Sequence, residues 1–349
     1  MSLIPATILT GFLGSGKTTL LKRVLAEAHG QKIAVIENEF GEENIDSDIL
    51  VSDTNEQIIQ MSNGCVCCTI REDLRTTLKD LAEKKRKGEL DFERVVIETT
   101  GVADPGPVAQ TFFMDDEIAE TYLLDSILTL VDAKHAVQQL NDRQEARRQI
   151  GFADQIFISK SDLVSKEELD ALMHRIKHMN PRAPQKAVHF GEVSLQEVFD
   201  LRGFNLNAKL DIDPDFLKDD DHHHDHAHGE HCDHPSHAHD HATHGHHHHH
   251  EDDVKSFVFK SERPFDPAKL EDFLGAIVNI YGPRMLRYKG VLNMKGTDRK
   301  VIFQGVHQLM GSDLGPAWGE TEVRTSKMVF IGIDLPKDIF LQGMEQSLV

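Results

Sequence analysis

Eight residues near the start of the chain, Gly11-Phe12-Leu13-Gly14-Ser15-Gly16-Lys17-Thr18, fit the phosphate-binding pattern G-x-x-x-x-G-K-[ST]. The chemistry follows from the residue types. Glycines let the backbone curl until successive N–H groups face the phosphate oxygens. A helix opening at the same point adds a dipole that favours an anion. Lys17 would reach the β- and γ-phosphates, and the Thr18 hydroxyl would ligate Mg²⁺. Gly11, Gly14, Ser15, Gly16, Lys17, Thr18 and Thr19 are therefore the expected phosphate contacts.

Two more stretches extend this chemistry. Arg94 to Glu98 is an apolar run ending in an acid, followed by Thr99-Thr100-Gly101, so Glu98 is the expected Walker B acid that assists Mg²⁺. Ser159-Lys160-Ser161-Asp162 follows another apolar run. An ionised Asp162 is acceptor-only and can take the N1–H and exocyclic amine of guanine, while the Lys160 stem can lie along the base. This favours guanine over adenine, although Ser159 stands where guanine-reading motifs carry Asn. Lys17, Thr18 and Glu98 make up the expected catalytic set. Val102 and Ala103 follow Gly101 where a water-positioning Gln would stand, so slow intrinsic hydrolysis is expected.

A second chemistry is written in the cysteines. The chain has four, and Cys65, Cys67 and Cys68 fall within Asn63-Gly64-Cys65-Val66-Cys67-Cys68. Thiolates at this spacing suit zinc, with cobalt or nickel as fitting alternatives. Glu37 and Glu42, in the acidic stretch Glu37-Asn38-Glu39-Phe40-Gly41-Glu42, are candidate carboxylate ligands or groups of the Mg²⁺ side. The fourth, Cys232, lies in a histidine-rich segment from Asp219 to Asp253. There, 16 of the chain's 22 histidines occur with ten acidic residues and no Lys or Arg. Such a composition cannot form a core, and its imidazoles bind divalent ions weakly.

The elements that must hold these groups alternate. Strands are expected at Ala6–Leu9, Lys32–Glu37, Ile58–Met61, Arg94–Glu98, Ser126–Asp132 and Gln155–Ser159. Helices are expected from Thr18 to Ala28 and over about 71–87. That alternation predicts an α/β fold with a mainly parallel sheet and a nucleotide at the carboxyl ends of the strands. Beyond the histidine-rich segment, expected strands at 257–259, 284–293, 300–307 and 326–333, with helices at 267–280 and 338–346, predict a small α+β domain. Trp318 reads as a packing residue. The expected division is 1–210, a linker at 211–253, and 254–349.

Composition narrows the partners. A formal charge of −20 argues against nucleic acid or an anionic membrane surface. No apolar run approaches 18 residues, and the first strand begins too early to leave room for a signal peptide, so a cytoplasmic location is expected.

Taken in order, GFLGSGKTTLL, IENEFGE, NGCVCC, VIETTGVADP, SKSD and Met285-Leu286-Arg287-Tyr288-Lys289-Gly290 resemble the CobW-like GTPases, in particular their YjiA-type branch. The resemblance implies a P-loop G-domain followed by a CobW-type C-terminal domain. It further implies GTP hydrolysis coupled to binding a metal, usually zinc or cobalt, and its delivery to client metalloproteins. The C-terminal domain would dock the client, and a homodimer is left open. Rival readings are a non-enzymatic metal buffer, a P-loop kinase or ATPase and, within the family, a cobalt-insertion helper for cobalamin or nitrile hydratase.

Overall fold

The computed structural model describes residues 3–27, 32–38, 57–61, 69–204 and 252–349. Seven strands form the first sheet: β1 (Ile4–Gly11), β2 (Ile33–Asn38), β3 (Gln57–Met61), β4 (Arg94–Glu98), β5 (Tyr122–Asp132), β6 (Gln155–Ser159) and β7 (Gln185–Ala187). Their order is β3-β2-β4-β1-β5-β6-β7, and every neighbouring pair is parallel. The central strands read as continuous apolar runs because helices cover both faces. In β6, Gln-Ile-Phe-Ile-Ser is buried at every position.

The connecting helices are α1 (Lys17–Glu27), α2 (Thr69–Arg86), α3 (Pro105–Met114), α4 (Asp116–Thr121), α5 (Ala136–Asp142), α6 (Gln144–Phe152) and α7 (Lys166–Met179). α1 buries Leu20, Leu21, Val24 and Leu25, the stripe that its helical spacing predicts. β1 lies between β4 and β5, so the chain leaves it toward β2 on one side and later crosses to β5 on the other. That reversal opens a crevice at the carboxyl ends of β1, β4 and β5, where α/β sheets bind ligands.

The second sheet is antiparallel, in the order β11-β10-β9-β12-β8. Its strands are β8 (Val254–Ser261), β9 (Met285–Leu292), β10 (Arg299–Val306), β11 (Leu309–Ala317) and β12 (Ser326–Ile333). Helices α8 (Pro267–Tyr281) and α9 (Lys337–Gln346) complete this unit. β11 is a strand that the hydropathy pattern did not predict. It carries Gly311, Gly315 and Pro316 and is mostly exposed, as suits an edge position. Trp318 is buried, with the Lys300 ammonium 4.9 Å from its ring centroid.

Both faces of the antiparallel sheet are covered, by different partners. In β12, Met328 and Phe330 join Phe257, Leu274 and Phe340 in one apolar cluster. The alternate residues Val329, Ile331 and Ile333 join a cluster that contains Ile150 and Phe152 of α6. The period-two alternation of the strand thus sends one row to its own helices and the other to the first unit.

Candidate functional site

The crevice is lined first by the loop between β1 and α1. Gly11, Gly14 and Gly16 all have positive φ. At Gly11 the reason is steric as well as conformational, since a Cβ there would collide with the Leu130 carbonyl oxygen of β5. Gly101 is the facing constraint. Its missing side chain lets the turn after β4 pass against Leu13 of the loop.

Lys17 is buried, and its ammonium donates to the Gly11 carbonyl at 2.9 Å, inside the loop. Burial lowers its pKa, and the nearby Glu98 carboxylate only partly offsets that effect. The Thr18 hydroxyl donates to Glu98 Oε1 at 3.3 Å, joining the two residues expected to serve Mg²⁺. Hydroxyl and carboxylate are hard oxygen donors and fit that ion. Glu37 is the register partner of Glu98 between β2 and β4, and it is buried. Paired positions on parallel neighbours share a face, so the two acids stand side by side at the rim.

Cys65, Cys67, Cys68 and Glu42 lie outside the described residues. The chain on either side of the cysteines is described: Met61 ends β3 as the register partner of Asn38 on β2, one residue beyond Glu37, and Thr69 opens α2. Among the described residues there is no group of three or more potential metal ligands.

The opposite wall comes from β5 and β6. Lys160 takes a left-handed conformation at φ 55°. Its ammonium spans the pocket, donating to the Gly14 carbonyl at 2.8 Å and to Asp132 Oδ2 at 2.7 Å. Burial alone would raise the Asp132 carboxyl. Hydrogen bonds from Lys160 and His135, with the Lys134 amide, outweigh it and hold the group below its ordinary value. Asp162 is half exposed, with His189 Nδ1 at 3.4 Å from Oδ1. Ser159, the departure from the usual guanine motif, donates its hydroxyl to the Ser15 carbonyl at 2.6 Å. It therefore ties β6 to the loop between β1 and α1.

Sequence reasoning missed the support behind Gly101. Gln149 of α6 is buried and donates to the carbonyls of Gly101 and Ala103 at 3.2 and 3.0 Å. Arg148 donates to Asp104 at 2.7 Å, while Asp104 caps α3 through the Gly106 amide. His307, in the turn between β10 and β11, presses its ring against Gly106 and, edge-on, against Phe152. Burial keeps His307 below its ordinary pKa. The segment after the Walker B acid is thus held by α6 and by the antiparallel unit. No local pattern announces either partner, because their separations in sequence are 48 for Gln149–Gly101 and far larger for His307.

A buried charge cluster joins the same two units. Asp154, just before β6, receives Lys289 at 2.7 Å and Arg287 at 3.1 Å, both from β9. Arg287 also donates to the Gly203 carbonyl at 2.8 Å and stacks 3.4 Å from the Phe204 ring centroid. The Arg-Tyr-Lys-Gly stretch noted in sequence is therefore the seam between the units.

Comparison with known proteins agrees with this architecture. Residues 5–186 match the model of the CobW/HypB/UreG nucleotide-binding domain, and residues 254–348 that of the cobalamin synthesis protein cobW C-terminal domain. The chain is 38% identical over 339 residues to the zinc chaperone YjiA of Escherichia coli, spanning 97% of this chain and 96% of that one. It is 32% identical over 329 residues to the zinc-regulated GTPase metalloprotein activator 1 of Dictyostelium discoideum, spanning 84% of this chain and 62% of that protein. The crystal structure of Zn(II)-bound YjiA GTPase from E. coli superposes with a TM-score of 0.75 at 33% identity, covering 100% of both chains.

Proposed function

The chain belongs to the CobW family of P-loop nucleotide-binding proteins, and from that premise we propose that it is a GTP-hydrolysing metal chaperone. It binds zinc in a manner governed by its nucleotide state and passes the ion to client metalloproteins. The observation that carries this reading is the pairing of Glu37 with Glu98. One acid belongs to the Mg²⁺ side with Thr18, and its register neighbour is a candidate zinc ligand.

Gly11, Gly14, Ser15, Gly16 and Thr19 cradle the phosphates, and Lys17 neutralises the β- and γ-phosphoryl oxygens. Thr18 and Glu98 would hold Mg²⁺, whose charge would neutralise the phosphoryl oxygens. Lys160 and Asp162 read guanine. Lys160 carries the base along its stem, and Asp162 accepts the guanine N–H groups in place of its contact with His189. Cys65, Cys67 and Cys68 form the soft part of the metal site, with Glu37 and Glu42 as hard donors. The C-terminal unit docks the client, and the protein works in the cytoplasm.

Coupling would arise because the acidic stretch after β2 and the cysteine motif after β3 lie in sequence where P-loop GTPases carry the segments that answer to γ-phosphate and its hydrolysis. A ligand set anchored there has two geometries and therefore two affinities. The described residues after Gly101 present no glutamine to the attacking water, so turnover stays slow until metal or a partner completes the site.

Hydrolysis of GTP and ATP, each with and without stoichiometric zinc, tests the reading. GTP should be preferred, zinc should change its turnover, and Cys65/Cys67/Cys68→Ser should lose the zinc response while keeping basal hydrolysis. Equal use of ATP, or a zinc response that survives the cysteine variant, would overturn it.

A further inference from the structure

We infer that His174 and His178 of α7 form a separate binding site for a first-row divalent metal ion, distinct from the cysteine motif. The two residues are one helical turn apart, both exposed, and their Nε2 atoms stand 2.9 Å from each other. Their rings are nearly perpendicular, at 84°, with centroids 4.4 Å apart. Across the gap between the two nitrogens one ring donates a hydrogen bond and the other accepts it, and an ion would take the place of the shared proton. Histidines four apart on one helical face are a recurring zinc-binding arrangement. Two imidazole nitrogens in neighbouring positions of a square or octahedral ion lie about 2.9 Å apart, and about 3.3 Å apart on a tetrahedral ion, for bonds of about 2.0–2.1 Å. The observed spacing serves the first without change and the second after a slight ring rotation.

The platform is rigid. Ser165 and Glu168 close a capping box at the start of α7, and Leu172, Ile176 and Met179 bury its opposite face. Between the two histidines, Arg175 grips Asp252 with two hydrogen bonds of 2.9 and 2.6 Å, and Ser256 of β8 donates to the His178 carbonyl at 3.1 Å. Asp252 lies at the end of the histidine-rich segment. His250 precedes it by two residues, so no more than about 7 Å of chain separates them. The pair thus stands where the end of a metal-collecting sequence is pinned to the folded unit. Two imidazoles hold an ion more weakly than a closed four-ligand set, so this site receives and passes on ions rather than storing them.

The test uses the full chain. Histidines are modified with diethyl pyrocarbonate and located by peptide mass spectrometry, with and without zinc, in the wild type and in His178→Gln. Zinc should slow modification of His174 and His178 several-fold, while His135 and His189 react as before. In His178→Gln, His174 should lose its protection. The exposed position of His178 leaves folding intact, which thermal melting checks. Equal reaction of the pair with and without zinc, or protection of His174 that persists in His178→Gln, would overturn the site.

Discussion

The nucleotide rim and the seam between the two units are both built from charged and polar residues, yet their contacts are distributed differently. At the rim they are spread over several anchors: Lys17 to the Gly11 carbonyl, Lys160 to the Gly14 carbonyl and Asp132, Ser159 to the Ser15 carbonyl, and Thr18 to Glu98. Each contact is short-range in space and open to replacement by a ligand oxygen or base. At the seam, Asp154 is fully buried and answers to two buried cations. The first arrangement is poised for exchange, and the second is closed to it.

The sharpest way to break this comparison is to remove one charge from each region. Asp154→Ala would leave Arg287 and Lys289 buried without their anion, a loss of about 3–5 kcal/mol that denaturant unfolding would register. Lys17→Ala should leave unfolding nearly unchanged, because its ammonium is already disfavoured by burial. GTP hydrolysis should instead fall about 10²–10³-fold, the scale of a lost transition-state donor. If the rim variant unfolds the protein and the seam variant does not, the contrast is wrong.

A middle-sized effect separates packing from charge at the seam. Gly151 of α6 faces Leu286, Val254 and Ile331 of the antiparallel sheet. Gly151→Val should cost about 1–3 kcal/mol through overpacking. It should also alter GTP turnover, since Gln149 on the same helix supports Gly101 and Ala103. At the rim, Ser159→Ala removes one hydrogen bond and should cost about 1 kcal/mol, read as weaker GDP binding in a titration.

The smallest expected effect is a pH response confined to the seam. His307 has a folded pKa below its unfolded value near 6.5, because burial disfavours the imidazolium. The unfolded chain therefore binds more protons through that window. Stability should be fully present above pH 6.5 and decline as the pH falls toward the lower, folded pKa. His307→Gln should flatten this dependence in thermal melts taken between pH 5 and 7.5, and a slope that persists would assign it to another group.

The rim was legible in sequence because its chemistry is local. Gly11 to Thr18 is one uninterrupted motif, Glu98 ends a short apolar run, and Asp162 stands three residues beyond the end of another, so residue order nearly equals spatial order. Even the departure at Ser159 could be located from sequence, though not its bond to Ser15, which spans 144 residues. The seam was invisible for the same reason reversed. Asp154 looks like any acid before a strand, and Lys289 lies 135 residues away from it. Arg287 and Lys289 lie in an expected strand whose sequence does not name Asp154 as their partner. β11 escaped notice because glycine, proline and exposed polar residues carry no alternation. Cys65, Cys67 and Cys68 are the reverse case, where sequence speaks more clearly than the described residues do.

If nucleotide and metal share one switching rim, zinc affinity must differ between the two nucleotide states. A strong chelator in competition, which keeps weak imidazole sites empty, would report the tight site with GDP and then with a non-hydrolysable GTP analogue. The wild type would be compared with Cys65/Cys67/Cys68→Ser. The account predicts affinities that differ by about 5–150-fold between the two states, with the difference abolished in the cysteine variant. Equal affinities in both states would contradict it and leave the metal site and the GTPase as separate functions of one chain.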